Sequence, residues 1–510
     1  MVLPFLSAAA MAAPAPVRGA GPAATPGAAR RGGGSAPRTV FLRSPDNPLV
    51  AIRLVFRVGA VDDPKDRPGL AALTAEMIGR GGSQSRTYAE VLDALYPMAA
   101  GIHVYADKES SVFEGTVHRD NLDAFADLLA QQILTPRFAD EDFSRNKQDA
   151  INYVAKTLRG NADEELGKQA LATVLFAGHP YGYPSTGTVA GLQAITLDDV
   201  RQFFARHYVQ SRLIVGVAGG YPEDFAKAFA RRFQALPATG APLPRLPAPA
   251  ALKGTQVLIV EKEARADAIS VGRTITIARA DPDFYPLTVA RSYLGEHRTF
   301  SGLLMNELRG NRGLNYGDYA YVENFIQAGG STFPLPNIPR RQQHFEIWLR
   351  PVPPQNSLFA LRAALFETDR LIREGIPPAG FEATKTFLMN YSNLWTQDVS
   401  RRLGYAIDAA IYGKDVVAEL QARLPGMKKA DVDRAIRKHL SLNNLAIAIV
   451  AQDGAALAAK LTSGESTPIT YDTKGTPAAV LDKDQLIEKF PLPVSKAAVR
   501  VVPADQMFER

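Results

Sequence analysis

The chain has 510 residues, 46% of them hydrophobic and 22% charged, an ordinary globular composition too long for one hydrophobic core, so two or three domains are expected. With 58 Lys+Arg against 52 Asp+Glu the net charge is +6, and its basic pairs (Arg30-Arg31, Arg340-Arg341, Arg401-Arg402, Lys428-Lys429) are scattered without interleaved aromatics, which argues against a nucleic-acid partner. No cysteine is present, which excludes disulfide scaffolds, thiolate metal sites and Cys nucleophiles.

In chain order, the apolar run Met1–Ala13 with Ala10-Met11-Ala12 reads as a signal-like segment, although no Lys or Arg precedes Arg18. It points to a periplasmic or secreted protein. Ala, Gly, Pro and Arg dominate residues 14–37, so 1–37 is expected to be a leader without a fold. Val50–Val58 is a β-branched strand, followed by a turn at Asp62-Asp63-Pro64 and a helix from about Pro68 to Ile78. Thr87 and Glu90 form a capping box, Val104–Val117 reads as two short strands, and helices are expected from Asp120, Asp140 and Asp163. A helix from Asp199 to His207 leads into the strand Leu213–Val217 and a further helix over Pro222–Leu236. Prolines 237, 242, 244, 247 and 249 then impose a semi-rigid linker over 236–254. Beyond it come a strand at Ile269–Ile277, helices from about Pro282 and Phe300, a helix from Asp431 to His439, the strand Leu445–Val450 and a helix over Ala455–Leu461. A polar, Pro-containing tail is expected over 464–510, and no stretch approaches the ~20 apolar residues of a membrane span.

Three landmarks recur at a constant offset of 232 residues: Asp199-Val200 with Asp431-Val432, His207 with His439, and Leu213 with Leu445. Such a register indicates a duplicated domain, one copy over 38–235 and the other over 255–463. Strands cluster early and late in each copy with helices between them. The expected class is therefore α+β, two homologous domains with mainly antiparallel sheets covered by helices.

Pro68-Gly69-Leu70-Ala71-Ala72-Leu73-Thr74-Ala75-Glu76-Met77 resembles the zinc helix of the insulinase, pitrilysin and mitochondrial-processing-peptidase family. There, Gly-Leu-Ala precedes H-x-x-E-H, whose two His bind zinc from one helix face while the Glu activates water. Here Ala72 stands for the first His, Ala75 for the catalytic Glu and Glu76 for the second His. The segment Ile151–Lys156 lacks the carboxylate expected of the third ligand, and the seven histidines form no i,i+3 or i,i+4 pair. No bound metal or other cofactor is expected in this chain.

Other landmarks of the resemblance persist. His179-Pro180-Tyr181-Gly182 is similar to a segment of the family's first domain. Ser301–Tyr316 resembles its R-x6-Y segment, with Arg309 and Tyr316 at the positions that bind peptide and aid the developing oxyanion. The resemblance implies a non-catalytic, substrate-binding subunit of a heterodimeric zinc metallopeptidase. Its partners would be peptides and a homologous H-x-x-E-H subunit carrying the zinc. The alternative is a scaffold subunit with no part in proteolysis.

Overall fold

Runs of β-branched and small apolar residues build two sheets in this computed structural model, which describes residues 36–296, 301–326, 333–472 and 474–510. The expected leader, apart from Ala36 and Pro37, and the helix start expected at Phe300 lie outside the described residues. The first sheet holds β1 (Arg38–Arg43), β2 (Leu49–Phe56), β3 (His103–Ala106), β4 (Ser111–His118) and β5 (Leu213–Gly219), in the order β1-β5-β2-β4-β3. Only β1 and β5 run parallel.

The second sheet holds β6 (Gln256–Glu261), β7 (Asp267–Ile275), β8 (Asp318–Tyr321), β9 (Gln343–Val352), β10 (Ala446–Ala451) and β11 (Val499–Pro503), in the order β11-β6-β10-β7-β9-β8. Its β6, β10, β7, β9 and β8 repeat the connectivity and direction of β1, β5, β2, β4 and β3. The helices Leu197–His207 and Lys429–His439 coincide at the 232-residue offset. The class is α+β with two mixed sheets, and the duplication is visible strand by strand.

Strands β5 and β10 are buried along their whole length, which requires both faces of each sheet to be covered. Each half covers one face of its own sheet, and the opposite face is covered by a helix from the other half. Val399–Tyr412 lies on β2 and β5, where Val399, Leu403 and Ile407 join Ala51, Val55, Val112, Ile214 and Ala218. Reciprocally, Asp163–Leu175 lies on β7 and β10, and its Leu166, Ala170 and Leu171 share a core with Ala268, Ala446, Ala448 and Val450. Gly404 marks the tightest approach: a Cβ there would stand 2.4 Å from Arg53 Nη1 and 2.5 Å from Pro336 Cγ.

Polar groups complete this seam. Arg53 donates to Asn337 Oδ1 at 2.8 Å and to Ser400 Oγ at 3.0 Å, while Asp107 receives Arg340 through two bonds of 2.7 and 2.9 Å. Leu236–Gly254 carries neither helix nor strand, and arginines from both halves hold it: Arg212 donates to Ala241 and Pro242 carbonyls, Arg341 to that of Pro244.

Residues 464–510, the polar, Pro-containing tail, carry secondary structure of their own. They contain the helix Ala478–Ile487 and add β11 to the edge of the second sheet. They end against the first half, where the carbonyls of Phe508 and Glu509 accept from Val189 and Ala190 N–H, and Arg159 bonds Met507 O and the Glu509 carboxylate. Among the described residues no helix is long and apolar enough to cross a membrane.

Candidate functional site

The zinc-helix remnant is the helix Leu70–Arg80, started by Gly69 in a left-handed conformation (φ 104°) that glycine adopts without steric cost. Asp63 accepts from the N–H groups of Gly69 (2.8 Å) and Ala71 (2.7 Å), satisfying orphan donors at the helix start. Burial pushes the Asp63 carboxyl up to about 7 despite those bonds. Ala72 is half-buried and Ala75 is wholly enclosed. Glu76 contacts Arg80 at 3.1 Å, and its carboxyl is raised by burial and by the charge of Asp149 on the neighbouring helix Asp140–Asn152.

Asp149 is the acidic neighbour that the sequence comparison did not find. It precedes the segment in which a third ligand was sought, and the following turns, Tyr153–Asn161, are π-helical. Two methyl groups and a pair of carboxylates do not match the three protein ligands of a catalytic zinc site. Among the described residues no group of three or more His, Cys, Asp or Glu is placed to hold a metal ion. The donors at this helix therefore do not fit zinc.

His179–Gly182 serves the seam between the halves. The Tyr181 hydroxyl donates to Glu109, whose carboxylate also receives Arg341 N–H and Nε, each at 2.7 Å.

The second predicted cluster is assembled. Arg309 lies in the π-helical turn Met305–Gly310, and its guanidinium stands 4.8 Å over the ring of Tyr316. Gly313, at φ +64°, turns the chain between them. Tyr316 is 68% exposed, against an almost fully buried Tyr319 and Tyr321 nearby. Buried Arg312 braces the loop by bonding Glu307 and Asp484, and Lys483 adds a 2.7 Å contact to Glu307. Asp484 and Lys483 come from the C-terminal segment.

A third cation, Arg350 on β9, was not singled out in the sequence. Its guanidinium stands 5.7 Å from the Tyr316 ring and 5.6 Å from that of Tyr319, and its Nε lies 3.5 Å from Glu164 of the first half. β9 pairs with β8 so that Trp348 faces Tyr319, and this pairing brings a residue so distant in sequence beside Tyr316.

Glu164 also belongs to the wall of a cavity of about 660 Å³ between the two halves, together with Lys168, Phe325, Arg340, Trp348 and Pro351. Lys168 Nζ sits 3.5 Å from the Trp348 ring centroid, a cation–π contact across the cavity wall. Lys108 lines the same space, and burial with the neighbouring Arg340 charge lowers its amine to about 7.

A family model described as "Insulinase (Peptidase family M16)" matches residues 38–189, and one described as "Peptidase M16 inactive domain" matches 194–388. A protein named as an uncharacterized zinc protease of Mycobacterium tuberculosis is 23% identical over 408 residues, spanning 78% of this chain and 87% of that one. A similarly named Mycobacterium leprae protein is 26% identical over 282 residues, 53% of this chain and 60% of its own length, so this match spans less than two-thirds of the relative. The M16 inactive domain from Pseudomonas fluorescens superposes with a TM-score of 0.72 at 20% identity, covering 82% of this chain and 96% of that one. The periplasmic protease PqqL of Escherichia coli gives a TM-score of 0.63 at 14% identity, covering 93% of this chain but 51% of that one.

Proposed function

The chain belongs to the M16 (insulinase) peptidase family, and from that membership we propose that it is a zinc-less, substrate-binding subunit of a heterodimeric periplasmic or secreted peptidase. The observation that carries this reading is the combination of an intact Arg309–Tyr316 pair, its phenol exposed, with alanines at two of the three zinc-motif positions. A buried phenol would suit a scaffold. A phenol that is 68% exposed beneath a guanidinium is poised for a ligand. The guanidinium and the phenolic O–H are donors matched to a peptide carbonyl oxygen and to charge developing on it. Hydrolysis itself belongs to a homologous partner bearing H-x-x-E-H, and this chain takes no zinc of its own. Its fold spans about half of a single-chain periplasmic peptidase, which is consistent with a second half being supplied by another subunit.

The test mixes the chain with its H-x-x-E-H partner and follows cleavage of a quenched peptide. Arg309→Ala or Tyr316→Phe is expected to lower turnover, by up to the ~10²–10³ typical of a lost oxyanion donor, while assembly and melting stay unchanged. Full turnover in both variants, with the complex intact, leaves the scaffold role as the better account. Metal analysis of the purified chain is expected to find no stoichiometric zinc, and one tightly held zinc lost on mutating Glu76 would contradict the reading.

A further inference from the structure

We propose that Arg350 completes, with Arg309 and Tyr316, a carboxylate-binding site beside the cavity between the halves, through which the chain selects peptides bearing a carboxylate. This deepens the substrate-binding role and rests on it. Two guanidiniums stand close to one exposed phenol, at 4.8 and 5.7 Å from its ring. The Nε–H of Arg350 is buried without a hydrogen bond, and its counter-ion Glu164 stands 3.5 Å away, within ion-pair range but long for a hydrogen bond. A buried donor without a hydrogen bond is costly, and an arriving carboxylate would compete with Glu164 for this guanidinium by offering a shorter, charge-assisted bond.

The adjacent acid does not fill that role. Asp318 is wholly buried and turned to Asn315 at 2.6 Å, and burial raises its carboxyl to about 8, so it is largely neutral at pH 7. Arg350 stands 5.6 Å from the ring of Tyr319, whose cross-strand partner is Trp348, and Trp348, Pro351 and Glu164 all line the cavity. Trp348 with Phe325, at 6.0 Å between ring centroids, gives that cavity an apolar wall. A peptide group held at Arg350 would thus have room beside it for a neighbouring side chain. The carboxylate could be a chain terminus or an Asp or Glu side chain, and both present the same planar acceptor to a guanidinium fork.

The experiment measures fluorescence anisotropy of labelled decapeptides with the full-length chain alone, so it does not depend on the zinc-bearing partner. One arm compares a free C-terminus with its amide, and a second compares internal Asp and Glu with Asn and Gln. At least one carboxylate form is expected to bind about 10-fold more tightly or better. That preference is expected to vanish in Arg350→Gln and to survive only in part in Arg350→Lys, which keeps the charge without the fork. Equal affinity for both members of each pair in the parent chain overturns the proposal without any variant. So does a preference unchanged in a folded Arg350→Gln or Arg350→Lys chain. Loss of complementation by Arg309 or Tyr316 variants tests the subunit role separately and leaves the carboxylate comparison readable.

Discussion

Replacing Asp318 by Asn tests whether a buried acid is tolerated at a cost in stability next to the Arg309–Tyr316 loop. Asp318 is completely enclosed, its Oδ1 accepts from Asn315 and its Oδ2 has no partner. Burial raises the carboxyl from 3.8 to about 8, outweighing the Asn315 bond. The folded chain therefore keeps a proton that the unfolded chain has released, so stability falls as pH rises from about 4 to about 8 and is level above that. At pH 7 the loss is roughly 4 kcal/mol, from about three pH units at 1.36 kcal/mol each. The folded unit Ser35–Arg510 has an unfolding entropy near 1 kcal/mol per degree at ~2 cal/mol/K per residue, so the loss corresponds to about 4 °C in melting temperature. Asp318→Asn removes the titration and keeps the shape. Its melting temperature is expected to exceed the parent's by several degrees at pH 7–8, with the gap closing toward pH 4. Melting curves at four pH values decide it: a gap independent of pH, or a less stable variant at pH 8, refutes the reasoning.

Three further outcomes follow from the seam and the C-terminal strand. Arg340→Ala strands the buried Asp107 carboxylate and is expected to cost about 3–5 kcal/mol by chemical denaturation. Burial alone would raise Asp107, but the Arg340 charge and hydrogen bonds hold it below the usual value, so this stabilisation is present above pH ~4 and the variant's deficit should shrink as pH falls below that. Gly404→Ala forces a methyl group against Arg53 and Pro336 and is expected to lose about 1–3 kcal/mol, so a loss within the ~0.5 kcal/mol of a neutral surface change would contradict the tight crossing. Deleting residues 496–510 removes β11 and the Arg159–Glu509 pair, exposing the edge of β6, and should speed proteolysis and promote aggregation. A truncated chain that stays monodisperse and melts with the parent would show the strand to be dispensable.

What the sequence disclosed was local in kind. The altered motif at Ala72, Ala75 and Glu76 sits on one helix, and Arg309 and Tyr316 lie within one short segment, so resemblance to contiguous family motifs located both. The duplication was legible because helix and strand recur in fixed register. Arg350 was not legible because β8–β9 pairing, rather than proximity in sequence, brings it to Tyr316. Asp149 meets Glu76 through helix packing, which no spacing rule encodes. The pairing of β11 was not legible because Val499–Pro503 is a short edge strand, ending in proline and with largely exposed side chains, and its partner β6 is remote in sequence. The helix exchange escaped for a related reason: Asp163–Leu175 and Val399–Tyr412 display apolar faces, and a sequence does not state which sheet will receive them.

That exchange makes the two halves poor candidates for independent existence. Severed within Leu236–Gly254, each fragment would keep its strands but leave one sheet face bare, with its cover residing on the other fragment. The fragments should therefore remain clasped after a nick, and either one expressed by itself would present a broad apolar surface to water. The duplication thus yielded one cooperative body in place of two tethered ones, so a weak point in either sheet lowers the stability of both. Shared packing of this kind ties the position of the Arg309–Tyr316 segment to that of the Leu70–Arg80 helix.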